Sequence, residues 1–236
     1  MKRLVLSPFV VLLAACSIDA PTSLPLGTEA LSAKSSSAGT TPKLSFFKGN
    51  ASVGWSSAAG SSPSDPTNDA AIQIVTNTKV PSAAGAYTWG SDEDAVGIVG
   101  RMLGAIDHLG FDSRGYLQPG SPRISLTTVG DDGNHTYFLA AWHCNPGASP
   151  NVWVTSNFKS ASCQVFRDGE PAGYAGLGAA AAVADANHER VTDWFVIQDE
   201  GPAIVYIDRL TVQDWMWTRG GGAGIRSCLD VNPPCI

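Results

Sequence analysis

The chain has almost no helical periodicity, few charges and no basic cluster, and each of these gaps removes a class of function. Lys and Arg number 15 against 21 Asp and Glu, a net charge of −6 over 236 residues. Phosphate recognition draws on clustered Lys and Arg, so a nucleic-acid partner is not expected. The histidines, His108, His135, His143 and His188, are scattered. They show no H-E-x-x-H spacing, which sets aside a zincin. "GWSSA" (54–58) and "GASPN" (147–151) fall short of G-x-S-x-G, so no nucleophile elbow is visible. "DDGN" (131–134) lacks the spaced ligands and terminal glutamate of an EF-hand loop. No internal repeat is present, and no apolar run reaches the ~20 residues of a membrane-spanning helix.

What is present begins at the N-terminus. Lys2 and Arg3 precede a short apolar run from Leu4 to Ala15, the pattern of an export signal over residues 1–15. The run ends in "LAAC", which resembles the bacterial lipobox. That resemblance implies diacylation of Cys16 and a membrane partner through the lipid, since each buried methylene contributes ~0.8 kcal/mol. Ser17 in the next position lacks the aspartate associated with inner-membrane retention, so the outer membrane or cell surface is the expected location. Residues 16–43, rich in Ser, Ala, Thr and Pro, read as a disordered tether.

Four further cysteines, Cys144, Cys163, Cys228 and Cys235, suggest two disulfides in an exported protein. Local pairing, Cys144 with Cys163 and Cys228 with Cys235, is the preferred arrangement. A metal site is the alternative, but no C-x-x-C or paired His supports it.

Residues 44–214 read as one all-β domain, with 215–236 as a Gly-rich, disulfide-containing tail. Strands are expected at "AAIQIVTN" (70–77), "HLGFDSRGYL" (108–117), "PRISLTTV" (122–129), "HTYFLAAWHC" (135–144) and "NVWVTSNF" (151–158). "SCQVFRDG" (162–169), "TDWFVIQD" (192–199) and "AIVYIDRLTV" (203–212) complete the set. Asp-Gly between two alternating runs at 130–134 is a hairpin signal. "AGLGAAAAVADANHER" (175–190) is either a short helix or a small-residue loop. Short strands, hairpins and a long connection predict an antiparallel jelly-roll β-sandwich.

"YIDRLTV" (206–212) resembles the closing strand of jelly-roll carbohydrate-binding modules and galactose-binding-like domains, and "TYFLAAWHC" (136–144) resembles their central strand. "GYLQPGSPRISL" (115–126) resembles a segment of uncharacterised secreted bacterial domains. The likeness spans about residues 70–212 and implies a sandwich with a saccharide ligand; some jelly-roll modules of this kind also hold calcium.

Asp208 sits among aliphatic residues. Strict alternation puts it on one face with Ile204, Tyr206, Leu210 and Val212. A buried carboxylate needs partners. It either accepts hydrogen bonds, pairs with Arg123 or Arg209, or ligates a structural calcium ion with Asp65, Asn68 and Asp69. Of seven tryptophans, Trp153 shares a strand face with Asn151, Thr155 and Asn157, opposite Val152, Val154 and Phe158. A tryptophan among amides suits a polyol. Trp194, beside Val196 and Gln198, is expected to join it. Asp193 with Asp199, or Glu200 with Asp208, are the carboxylate pairs conceivable for glycoside hydrolysis, but no catalytic constellation is evident. The expected function is therefore non-catalytic saccharide binding through Trp153, Asn151, Asn157 and Trp194. A structural or protein-interaction module of the cell envelope is the alternative, and a glycoside hydrolase-like enzyme the second.

Overall fold

The computed structural model describes residues 41–60, 62–64, 70–78, 82–219, 225–228 and 235–236. The expected signal peptide, Cys16 and the tether as far as residue 40 lie outside them, as do Asp65, Asn68 and Asp69. Alternating Val, Ile, Thr and aromatic residues favour pleated, half-buried strands. They form two antiparallel sheets, packed as the all-β sandwich expected from the sequence.

The first sheet, called A, contains β1 (Ser45–Gly49), β4 (Ala83–Tyr87), β6 (Arg123–Gly130), β7 (Gly133–Ala140), β9 (Gln164–Arg167), β10 (Tyr174–Ala175) and β11 (Arg190–Gln198), in the order β1-β4-β11-β6-β7-β9-β10. Sheet B contains β2 (Ser52–Ser56), β3 (Ala71–Thr76), β5 (Leu109–Gly115), β8 (Val154–Asn157), β12 (Ala203–Val212), β13 (Trp215–Trp217) and β14 (Ile225–Ser227). Its path is β14-β13-β12-β3-β2, and β5 pairs with both β12 and β8. The chain crosses between sheets at β1–β2, β3–β4, β4–β5, β5–β6, β7–β8, β8–β9 and β11–β12. The expected hairpin closes at Gly130 opposite Gly133.

Among the described residues, three α-helices accompany the sheets: α1 (Ser91–Val96), α2 (Ala141–Cys144) and α3 (Gly176–Ala186). The segment left open between helix and loop is α3. Its alanines have high helix propensity, and Leu177, Ala180, Ala181 and Ala184 bury one face at helical spacing. The strand expected through Cys144 stops at Ala140, and "AWHC" turns into α2. Val152 lies in the turn before β8 and is 54% exposed, contrary to its expected core position, whereas Phe158 is buried as expected.

The inner faces supply the core, with Trp194, Trp217, Tyr137, Phe111 and Phe158 its largest fully buried side chains. Each such burial contributes on the order of 2 kcal/mol. The disulfides join Cys144 to Cys163 and Cys228 to Cys235, the local pairing preferred from sequence. The boundary placed after residue 214 falls inside a hairpin. β13 pairs with β12, its Trp217 indole donates to the Pro42 carbonyl at 2.8 Å, and Ile236 is buried. The tail's described residues thus belong to the domain.

Candidate functional site

The predicted contacts do not converge. Trp194 is fully buried, packs on Trp217 at 5.9 Å between centroids, and donates its indole N–H to Thr88 Oγ1 at 3.0 Å. It is a core residue and touches no ligand surface. The face-sharing with Val196 and Gln198 is correct, but that face points inward, a direction that alternation alone does not give because Phe195 and Ile197 make the other side equally apolar. Trp153 is half-buried and precedes β8. Asn157 is exposed at the end of β8, where its side chain accepts from the Lys159 amide at 3.0 Å. Asn151 is exposed in a turn and lines a shallow groove.

Asp208 is explained by its strand. Ala203, Val205 and Ile207 point into the core, and so do Leu210 and Val212. The alternation changes phase because β12 carries an extra residue. Its pairing with β5 slips between Asp208 and Thr211, at Arg209, whose φ is +46°. Asp208 therefore does not share a face with Leu210 and Val212. It lies on the outer face, directly opposite Asp112, and both are buried. Ser62 bridges them: its amide donates to Asp208 at 2.7 Å and its hydroxyl to Asp112 at 2.5 Å. Asp208 also accepts from the Arg209 amide at 2.8 Å. Asp112 accepts from Thr155 at 2.6 Å and from the Arg209 guanidinium at 3.4 Å. The rung is thus well supplied with donors. Arg123, the other arginine considered for Asp208, instead clasps Asp199 with two 2.6 Å bonds.

Neither conceived carboxylate pair has hydrolytic spacing. Asp193 and Asp199 are six positions apart along β11, ~20 Å at strand rise, beyond the ~5–9.5 Å that glycoside hydrolysis uses. Glu200 precedes β12, and five strand positions from Ala203 to Asp208 alone span ~17 Å. Elsewhere Asp132, His135 and Glu189 place ligand atoms within 4.8 Å of one another. The fully buried Glu189 accepts from Thr128 at 2.6 Å, Tyr137 at 3.0 Å and Arg167 at 2.7 Å. Arg167 also reaches Asp132 at 3.1 Å and Glu170 at 2.9 Å. Its guanidinium therefore supplies the positive charge these acids need. Burial, then the bond to Glu189, pushes the Tyr137 phenol up.

Sequence reasoning missed the surface with the clearest organisation, the outer face of sheet A. Tyr87 on β4 is paired in register with Phe195 on β11 and Phe195 with Ser125 on β6. Ser125 is paired with Phe138 on β7 and Phe138 with Phe166 on β9. Paired residues project on the same face, so one rung crosses five strands, and its four aromatic rings are half-buried. Phe47 on β1 extends it, 6.1 Å from Tyr87 and 6.2 Å from Phe195. It lies over Gly85, where an added Cβ would come within 2.7 Å of the ring. Beside the rung, the Arg123 guanidinium sits 5.3 Å from the Phe138 centroid. At the far end, His143 stacks 4.6 Å from Phe166, and Trp142 follows 5.1 Å from His143. The row is therefore continuous into a cavity of about 390 Å³ beside α2.

Fold and surface define an antiparallel β-sandwich with a flat aromatic row on one outer face. No family model, curated protein or solved structure matches the chain.

Proposed function

We propose that the domain is a non-catalytic saccharide-binding module of the bacterial envelope, held to the outer membrane or cell surface through lipidated Cys16. The registered row Tyr87, Phe195, Phe138 and Phe166 carries this reading. Strands lie ~4.8 Å apart, so the rung covers ~19 Å from β4 to β9. That length offers repeated apolar contacts to an extended chain of sugar rings, whose C–H-rich faces stack on aromatic side chains. The Tyr87 phenol in the row, and the Arg123–Asp199 ion pair beside it, give this apolar surface a polar edge, the mixture that orients a polar ligand. Two disulfides are compatible with export. Among the described residues no helix is long and apolar enough to cross a membrane.

Retention on a panel of insoluble polysaccharides tests the reading, using the intact protein and the double variant Phe138→Leu/Phe195→Leu. Leucine keeps most of the apolar burial and removes the ring. The expected result is retention on at least one polysaccharide, lost in the variant while thermal unfolding stays two-state. Retention that ignores the double substitution, or none on any polysaccharide, rejects it.

One observation favours the protein-interaction reading. Tyr116 and Ile204, 60% and 52% exposed, line the groove on sheet B that also contains Asn151, with a volume of about 640 Å³. Exposed apolar clusters mark interaction surfaces. On that reading Ile204→Asp abolishes a crosslinked protein partner and leaves polysaccharide retention unchanged.

A further inference from the structure

The cavity beyond Phe166 has a chemistry of its own. Its walls come from α2, through Trp142 and His143, and from the segment around Cys163, through Ser162 and Gln164, with Pro146 and Gly173 completing much of the lining. The Cys144–Cys163 disulfide ties these two walls together. Among the described residues, none that lines the cavity is an acid, a lysine or an arginine. Burial pulls the His143 imidazole below its ordinary value, against a hydrogen bond to the Pro119 backbone, so the ring is neutral at pH 7. The cavity thus offers an indole face, a neutral imidazole, a primary amide and a hydroxyl over a floor of small residues. A volume of about 390 Å³ lies at the lower end of the ~300–1,000 Å³ typical of small-ligand sites.

We infer that this pocket seats an uncharged saccharide unit at the end of the aromatic row, so the domain selects neutral over acidic polysaccharides. This inference rests on the saccharide reading of the row and adds a ligand class to it. A carboxylate entering a cavity without a cationic partner loses its hydration without compensation. A neutral hydroxyl-bearing ring exchanges water for Gln164, Ser162 and His143. The surrounding charge acts the same way: the net charge of −6 disfavours long acidic chains at low ionic strength.

The test is a binding series on matched polysaccharides: β-1,4-glucan, β-1,3-glucan, α-1,4-glucan, mannan and galactan, each beside its C6-oxidised, uronic acid counterpart. The expected result is binding to at least one neutral member, with its oxidised partner weaker by about tenfold or more. Gln164→Leu, which removes the amide, and Ser162→Trp, which fills the cavity from an exposed position, each lower neutral binding by a similar factor without altering thermal unfolding. Equal or stronger binding of the oxidised chains overturns the inference. So does neutral binding that both pocket variants leave intact. If Phe138→Leu/Phe195→Leu abolishes binding while the pocket variants do not, the row stands and the pocket falls. If no polysaccharide binds at all, both fall.

Discussion

The two outer faces of the sandwich use the same strand alternation for opposite ends. On sheet A one outward rung consists of half-buried rings aligned in register around the buried Ser125. On sheet B the outward Asp112 and Asp208 form an acidic rung, sealed by Ser62 and Thr155 and supplied with charge by Arg209. A face that presents apolar area to water is costly unless something uses it. A face that buries two carboxylates is costly unless every oxygen finds a donor. Sheet B has met the cost of its acids internally, while the half-buried rings of sheet A, like the exposed Tyr116 and Ile204 of the sheet B groove, keep apolar area open to a partner.

The contrast breaks first at the acidic rung. Asp112→Ala leaves Thr155 and Ser62 without their acceptor and takes a carboxylate from Arg209. Losses at such buried pairs run to ~3–5 kcal/mol. Urea denaturation is expected to show a fall of about that size, with polysaccharide binding per folded molecule unchanged. An unaltered midpoint means the rung is not structural. Next comes the staple behind the pocket. Cys144→Ser/Cys163→Ser opens a link with a sequence separation of 19. It is expected to cost ~3 kcal/mol in the chain-entropy model. Because the same bond joins the pocket walls, neutral-saccharide binding falls as well, which calorimetry would show. Loss of stability without loss of affinity removes the disulfide from the binding argument.

A smaller effect separates compensated acids from an uncompensated one. Burial, then the charge of Asp193 and then that of Asp94, pushes the Glu93 carboxyl up to about 7. Its folded value is raised, so the protonated form is the favoured one. The associated stability is whole below pH 4.5 and is lost as pH rises toward 7. Glu93→Gln is expected to flatten this slope and stabilise the protein at pH 8 by on the order of 1 kcal/mol after solvent screening. A slope that persists in the variant assigns it to another group. The least effect is expected at Trp153. Trp153→Ala lies off the aromatic row, so polysaccharide retention is expected to change by less than about twofold, roughly 0.4 kcal/mol. A large loss would move the site to the loops around β8.

The fold was legible because strand alternation and the "GDDGN" turn are local signals. β6, β11 and β12 lie close to where the pattern puts them, and β7 does as far as Ala140. Local composition cannot show what covers a strand, and β1, β2 and β4, short and rich in Gly, Ser and Ala, gave little contrast. The site was poorly legible for two physical reasons. In "TDWFVIQD" both faces are apolar, so the alternation that grouped Trp194 with Val196 and Gln198 did not say which way they point. Register is the second. Phe138 and Phe195 are 57 positions apart, and only the pairing of β6 with both β7 and β11 aligns them through Ser125. Glu189, buried at the end of "NHE", carried no signal at all.

The extra residue in β12 acts like a dislocation in a crystal row. Upstream of Arg209, odd-numbered side chains fill the interior; downstream, even-numbered ones do. One strand can thereby hand an acid to the exterior layer and resume greasy contacts two positions later. Straightening the bulge with every residue kept would turn the strand's remainder by half a turn and expel Leu210 and Val212 into water, whereas excising Arg209 would leave both inside and cost Asp112 its guanidinium. A further insertion beside it, or a deletion within Ala203–Ile207, should therefore be far less tolerated than a substitution.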